Sequence, residues 1–296
     1  MRINNIKRLT LPTLRHVMSS KQMQPALKML GLSPPKVKKA APPSKVEDNS
    51  ISVPGFEVLA LHGKAWLDGA GQNPILIMFG ASPWKRDVLA NFFPDFRLAF
   101  ARKDTPWERI LPTLSKFTPH AFVFWGMTEK RVAANYAISK GIPIWRIEDG
   151  FLRSVGLGAQ HILPLSLAID TAGIYFDPSK QSSLEKLISE VGSTGSTALL
   201  ERARRCISII STFGLTKYNV SQELALKSLE RSGRKRVLVV GQVEDDASII
   251  LGCEMRYTNN DVVRIASKEN PDAEWSTARI PMSSEGTAKS FPTLKT

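Results

Sequence analysis

Between Asn73 and Glu148 the sequence repeats one unit: a short, continuous apolar run, then a span whose apolar residues recur at helical spacing. "NPILIMFG" predicts a buried strand ending at Gly80, "WKRDVLANFF" a helix and "FRLAFA" a strand. "PWERILPTLSKF" predicts a helix broken by Pro112, and "AFVFWG" a strand ending at Gly126. "EKRVAANYAISKG" predicts a helix stopped by Gly141, and "IPIWRIE" a further strand. Apolar strands without in–out alternation, separated by helices, predict a parallel sheet covered on both faces. Ligands of such sheets sit beyond the carboxyl ends of the strands, which puts Gly80, Ser82, Trp125, Gly126 and the Glu148–Arg153 stretch at one site.

The stretch "IWRIEDGFLRSVGLG", Ile144 to Gly158, carries the densest chemistry. Successive side chains of a strand face opposite ways, so Glu148 and Asp149 cannot both meet one substrate atom while the strand continues. Asp149, next to Gly150 at the strand exit, is the stronger candidate for chemistry; its alternative is a turn cap made through its own backbone. Glu148 then orients a neighbour or pairs with Arg146 or Arg153. Arg153 and Ser154 have the chemistry to bind an anion by charge-assisted hydrogen bonds, with Gly150 and Gly156 allowing close backbone approach; Arg153 reads equally as an exposed salt-bridging arginine. "GLG" at Gly156–Gly158 lacks the third small residue and preceding strand of a dinucleotide fingerprint. No P-loop, nucleophile elbow or metal-ligand spacing occurs, so neither a metal nor a cofactor is expected; of the four histidines, His161 alone lies near this loop.

Charge and composition bound the rest. The net charge of +13 is concentrated at the start, where Met1–Lys45 carries ten Lys and Arg and no acid precedes Glu47. Ile6, Leu9, Leu11, Leu14 and Met18 approach helical spacing there, so the arm reads either as an interfacial helix drawn to anionic lipid or as a solvated arm. "SPPKVKKAAPPSK" makes a semi-rigid linker. Basic residues are not interleaved with aromatics in the arm, and no nucleic-acid-binding motif appears, which excludes that partner class. The longest apolar run falls short of the roughly 20 residues of a membrane span and no secretory signal is present, so a cytoplasmic location is expected. Cys206 and Cys253, far apart, are expected as reduced, partly buried thiols.

Further on, "PLSLAID" and "GIYFD" around Thr171–Gly173 predict a β-hairpin, and helices are expected at 183–191, 198–213 and 221–232. "KRVLVVGQVEDDASI" opens a second strand-to-loop unit, with a helix near Asp261–Lys268 and a further strand after it. Residues 1–50 are thus an arm and linker, 51–180 a first lobe with the hairpin, 181–234 a helical connector, 235–275 the start of a second lobe and 276–296 an irregular tail. Gln242, Asp245, Asp246 and Ser248 follow Gly241 at a strand end. Asp245 and Asp246 read equally as acids at a helix N-terminus.

"WRIEDGFLRSVGLG", "PLSLAIDTAGIYFD", "RVLVVGQVEDDASI" and "FGASPWKRDVLANFF", in that family's order over 75–274, resemble the capsule polysaccharide synthesis family, specifically its KpsC-type β-Kdo transferases. The resemblance implies an α/β fold of GT-B type, two Rossmann-like lobes with the active site between them. It implies retaining transfer of 3-deoxy-D-manno-oct-2-ulosonic acid (Kdo) from CMP-Kdo onto a lipid-linked glycan, at the inner face of the membrane. Asp149 matches the family's reacting aspartate, Arg153 and Ser154 would hold the Kdo carboxylate or the acceptor, and Gly241–Ser248 would lie at the donor nucleotide. After "ENPDAE" the sequence departs from the family pattern, so a complete first lobe and a truncated second lobe are expected, with the donor site damaged by that truncation and little or no transfer by this chain. The alternative function is a non-catalytic capsule assembly component that binds acceptor glycan, partner proteins or the anionic inner-membrane surface.

Overall fold

The computed structural model describes residues 49–67, 73–102, 104–127, 131–155, 161–194, 196–219, 233–255 and 257–278. The chain divides into two compact units, residues up to Tyr175 with Gln181–Ser221, and Phe176–Lys180 with Gln222 onward.

The first unit is built on a six-stranded sheet: β1 (Leu59–His62), β2 (Ile75–Phe79), β3 (Arg97–Ala101), β4 (Ala121–Trp125), β5 (Ile144–Asp149) and β6 (Leu167–Asp170). Their order is β1-β3-β2-β4-β5-β6, with β3, β2, β4 and β5 mutually parallel. Both edges are antiparallel, β1 against β3 and β6 against β5, so the expected all-parallel sheet is instead mixed. Helices α1 (Arg86–Phe92), α2 (Trp107–Leu114) and α3 (Arg131–Ser139) connect the parallel strands. Leu89 of α1 packs with Leu76, Met78, Leu98, Phe100 and Val123 on one face of the sheet. Ile110 and Leu114 of α2 join Ala133, Ala134 and Ala137 of α3 over Ile77, Phe79, Phe122 and Phe124 on the other. Alternate residues of one strand thus enter opposite cores, which is why β2 is apolar throughout. Each such side chain fully withdrawn from water contributes about 1.5–3 kcal/mol.

Several expectations are corrected. Pro112 does not break its helix: α2 runs through it to Leu114. "GIYFD" forms no strand, because the Asp170 carboxylate accepts from the Ala172 and Gly173 N–H groups and from both Ser183 N–H and its hydroxyl. The backbone after β6 is thereby turned toward the helix α4 (Ser183–Thr194), and β6 pairs with β5 instead. Helix α5 (Thr197–Thr212) follows, capped by the Ser196 side chain, and the helix expected at 221–232 lies outside the described residues. Cys206 and Cys253 are exposed rather than partly buried.

The second unit contains a parallel pair, β7 (Arg236–Val240) and β8 (Glu274–Ala278), with α6 (Ala247–Gly252) and α7 (Asn259–Glu269) between them. Ser276–Ala278, expected to be irregular, belong to β8; the tail from 279 lies outside the described residues. Val239, Val263 and Ala273 are its buried apolar residues among those described, while Leu238 of β7 remains 63% exposed.

Candidate functional site

Adjacent parallel pairing of β2, β4 and β5 places their carboxyl ends side by side, as the sequence predicts. Gly80 and Gly126 leave β2 and β4 with φ of 77° and 55°, a left-handed conformation that side chains disfavour. After Gly80, the exposed Ser82 precedes a single 3-10 turn, Pro83–Lys85. That turn carries Lys85 over the neighbouring strand end, its Nζ 3.3 Å from the centre of the Trp125 ring. Trp84 stacks on His161 with ring centres 5.1 Å apart, which ties the β2 exit to the segment before β6.

Strand β5 continues through Asp149, so Glu148 and Asp149 occupy consecutive positions opposite Ala168 and Leu167 of β6. Glu148 Oε1 accepts the Asp149 N–H at 2.8 Å. A Cβ at Gly126 would sit 3.0 Å from Glu148 Oε2, and Gly126 O accepts from Arg146 Nη1 at 3.0 Å. Burial pushes the Glu148 carboxyl above the ordinary glutamate range, and the Asp149 charge adds to it. The Asp149 N–H, Lys85 and Lys217 pull the other way.

Asp149 does not simply cap the following turn. Its Oδ2 lies 2.7 Å from Nε of Arg153, which is fully buried. The contact is an ion pair without hydrogen-bond alignment, and Asp149 Oδ1 and Arg153 Nη2 have no hydrogen-bond partner among the described residues. Arg153 Nη1 donates to Ser154 Oγ at 2.7 Å. The loop itself is strapped on two sides. Gly150 N–H donates to Ser166 O, Leu165 N–H to Arg153 O, and Ser166 Oγ to Leu152 O. The Arg153 and Ser154 N–H groups both reach Lys217 O, and Asn219 Nδ2 donates to Ser154 O.

Of the residues singled out from sequence, Gly80, Trp125, Gly126, Glu148, Asp149, Gly150, Arg153 and Ser154 gather in this one region. Ser82 is exposed at its edge, and Gly156 lies outside the described residues. Arg153 is turned inward to Asp149 rather than out to solvent. Sequence reasoning missed Lys85, although it lies inside the quoted Trp-Lys-Arg segment. Burial depresses the Lys85 ammonium, the Asp149 charge opposes that, Arg153 reinforces it and Glu148 opposes it, so all three groups lie within electrostatic reach of this cation.

Gly241, Gln242, Asp245, Asp246 and Ser248 belong to the second unit. Asn259, at the start of α7, brackets the β7 exit: its Oδ1 accepts the Gln242 N–H, its Nδ2 donates to Gln242 O, and its own N–H donates to Glu244 Oε1. Asp246 is the N-cap of α6, accepting from the N–H and hydroxyl of Ser248. The expected helix-cap role of Asp246 is thus present, while Asp245 is exposed beside it.

A mixed α/β sheet whose parallel strands end in a partly buried cluster of two acids, a lysine and an arginine carries its charged groups at the strand ends, where sheets of this class bind their ligands. The family model described as "Capsule polysaccharide biosynthesis protein" matches residues 120–287, and the chain belongs to that family. It is 61% identical over 269 residues to the lipopolysaccharide-processing protein LpsZ of Rhizobium meliloti, covering 91% of this chain and 61% of LpsZ. It is 35% identical over 202 residues to the capsule polysaccharide modification protein LipA of Neisseria meningitidis, covering 67% of this chain and 27% of LipA. The chain thus spans less than two thirds of either relative. Among solved structures, the KpsC β-Kdo 2,4 transferase of Thermosulfurimonas dismutans superposes with a TM-score of 0.58 at 28% identity, over 72% of this chain and 62% of that one. The β-Kdo 2,7 transferase of the same organism gives 0.52 at 27%, over 70% and 61%.

Proposed function

We propose that this protein is a GT-B-type retaining glycosyltransferase that moves Kdo from CMP-Kdo onto a lipid-linked capsule glycan at the inner membrane. The observation that carries the reading is the end of β5, where the Asp149 carboxylate is braced by a buried arginine and faced by Lys85. In the first displacement a carboxylate oxygen of Asp149 bonds to the anomeric carbon while the bond from that carbon to the CMP phosphate breaks, its electron pair leaving with CMP. In the second an acceptor hydroxyl oxygen bonds to the same carbon, the carboxylate departs, and the hydroxyl proton passes to water. Arg153 is paired with Oδ2, and Oδ1, which has no hydrogen-bond partner among the described residues and is buried in this structure, is the oxygen assigned to bond formation. The Asp149 side chain is 16% exposed, so substrate entry must displace a neighbouring group. The likeness to the two KpsC transferases supports the sugar and reaction class, and the LpsZ and LipA relationships support a place in surface polysaccharide assembly.

The test is CMP release from CMP-Kdo in the presence of a lipid-linked acceptor. Asp149→Asn keeps the side chain's shape and removes its charge, and should lower the rate by at least about a hundredfold, whereas Glu148→Gln should cost less. Unchanged turnover in Asp149→Asn overturns the reading and leaves the Asp149–Arg153 pair as a brace for the loop.

A further inference from the structure

We propose that Lys85 is the specificity-determining cation of the β5 site, binding the carboxylate of an anionic sugar at its Nζ. The assignment rests on the transferase reading above, which supplies the sugar. An ulosonic acid bears its carboxylate on the anomeric carbon itself, so an attacking aspartate approaches a carbon already flanked by negative charge. A cation has to hold that carboxylate aside, or the two anions repel at close range in a poorly solvated pocket.

Three cations face the acids of β5. Arg153 is fully buried, with Asp149 Oδ2 against its Nε and Ser154 Oγ accepting from Nη1; its Nη2 has no hydrogen-bond partner among the described residues but no part of the side chain is exposed to a ligand. Lys217 acts on Glu148, and its Nζ rests 5.6 Å from the centre of its neighbour Tyr218's ring. Lys85 is half-buried, stands at the exit of β2 with its Nζ over Trp125 at the end of β4, the strand paired with β5, and lies within electrostatic reach of Glu148 and Asp149. The Trp125 face under its ammonium fixes the charge over the strand end without consuming it in an ion pair, since a ring quadrupole holds a cation while leaving its N–H groups free to donate. Short stacking of Trp84 on His161 fixes the turn that carries the lysine.

The experiment is a ligand-observed NMR titration of the full chain with Kdo and with Kdo methyl ester, which removes the charge and little else. Wild type should prefer the acid by about tenfold, the size of one charge-assisted contact. Lys85→Met should abolish the preference, and Lys85→Arg should restore most of it, with circular dichroism and the thermal midpoint verifying that each variant is folded. An acid preference that survives in Lys85→Met, or that disappears in Lys217→Met instead, overturns the Lys85 assignment and leaves the transferase reading standing. Wild type that binds neither compound overturns both.

Discussion

Glu148 sits where burial and a like charge act in one direction on its carboxyl, raising it above the ordinary glutamate range. Folding therefore favours its protonated form. The stability this contributes is complete below the ordinary range and is lost as pH rises through the raised folded-state value. Glu148→Gln is neutral throughout and keeps an Oε1 to accept from Asp149 N–H. Its unfolding free energy should hold across that window where the parent's falls, as read by urea denaturation at a series of pH values. Equal pH slopes in the two proteins would remove Glu148 from the account. The role of such residues was only half legible in the sequence. The spacing of Glu148, Asp149 and Arg153 predicts a charged strand exit, but the partner of Arg153 and the place of Lys85 depend on which strand lies beside which. Trp125 is 40 residues beyond Lys85, and nothing in the local pattern joins them.

At the scale of elements, the pairing of β5 with β6 decides the shape of the site, and Gly150 decides how close they come. A Cβ there would lie 2.0 Å from Ser166 Oγ and 2.9 Å from Ser166 carbonyl carbon, so neither rotation of the serine nor a small shift relieves the clash. Gly150→Ala should destabilise the fold by about 1–3 kcal/mol, the usual cost of forcing atoms into a packed region, measured from the urea midpoint. The companion Gly150→Ala/Ser166→Gly protein should recover part of it. A single variant as stable as wild type would contradict the close approach. The parallel strands were legible because their apolar runs are continuous. Strand β1, with only four residues, was not assigned from sequence. The second arm of the predicted hairpin failed because Asp170 takes up the Ala172 and Gly173 N–H groups with its side chain. A turn glycine between two β-prone runs looks the same in either case.

For the whole molecule, the basic excess is a property of the sequence, since ten Lys and Arg precede the first acid. If the arm docks the protein on anionic bilayers, each residue near the surface contributes about 1 kcal/mol, fading as salt shortens the screening length. Deleting Met1–Lys45 should then abolish co-sedimentation with phosphatidylglycerol vesicles at low salt, and binding unchanged by the deletion would refute the docking. No helix among the described residues is long and apolar enough to cross a membrane. The sequence therefore showed where charge accumulates, and the described structure adds a sheet whose charged strand exits lie far along the chain from that arm.

The double strap on the loop after β5 also sets a schedule for synthesis. Ser154 receives its hydrogen bond from Asn219, 65 residues later, and Arg153 and Ser154 both depend on the carbonyl of Lys217. At about 5–20 residues per second, the acids of β5 are made several seconds before the strap that shapes their loop. During that interval a ribosome-bound chain carries its central strands without the contacts that fix the loop after β5, so that loop takes its final shape late in translation, after the sheet beneath it has been made.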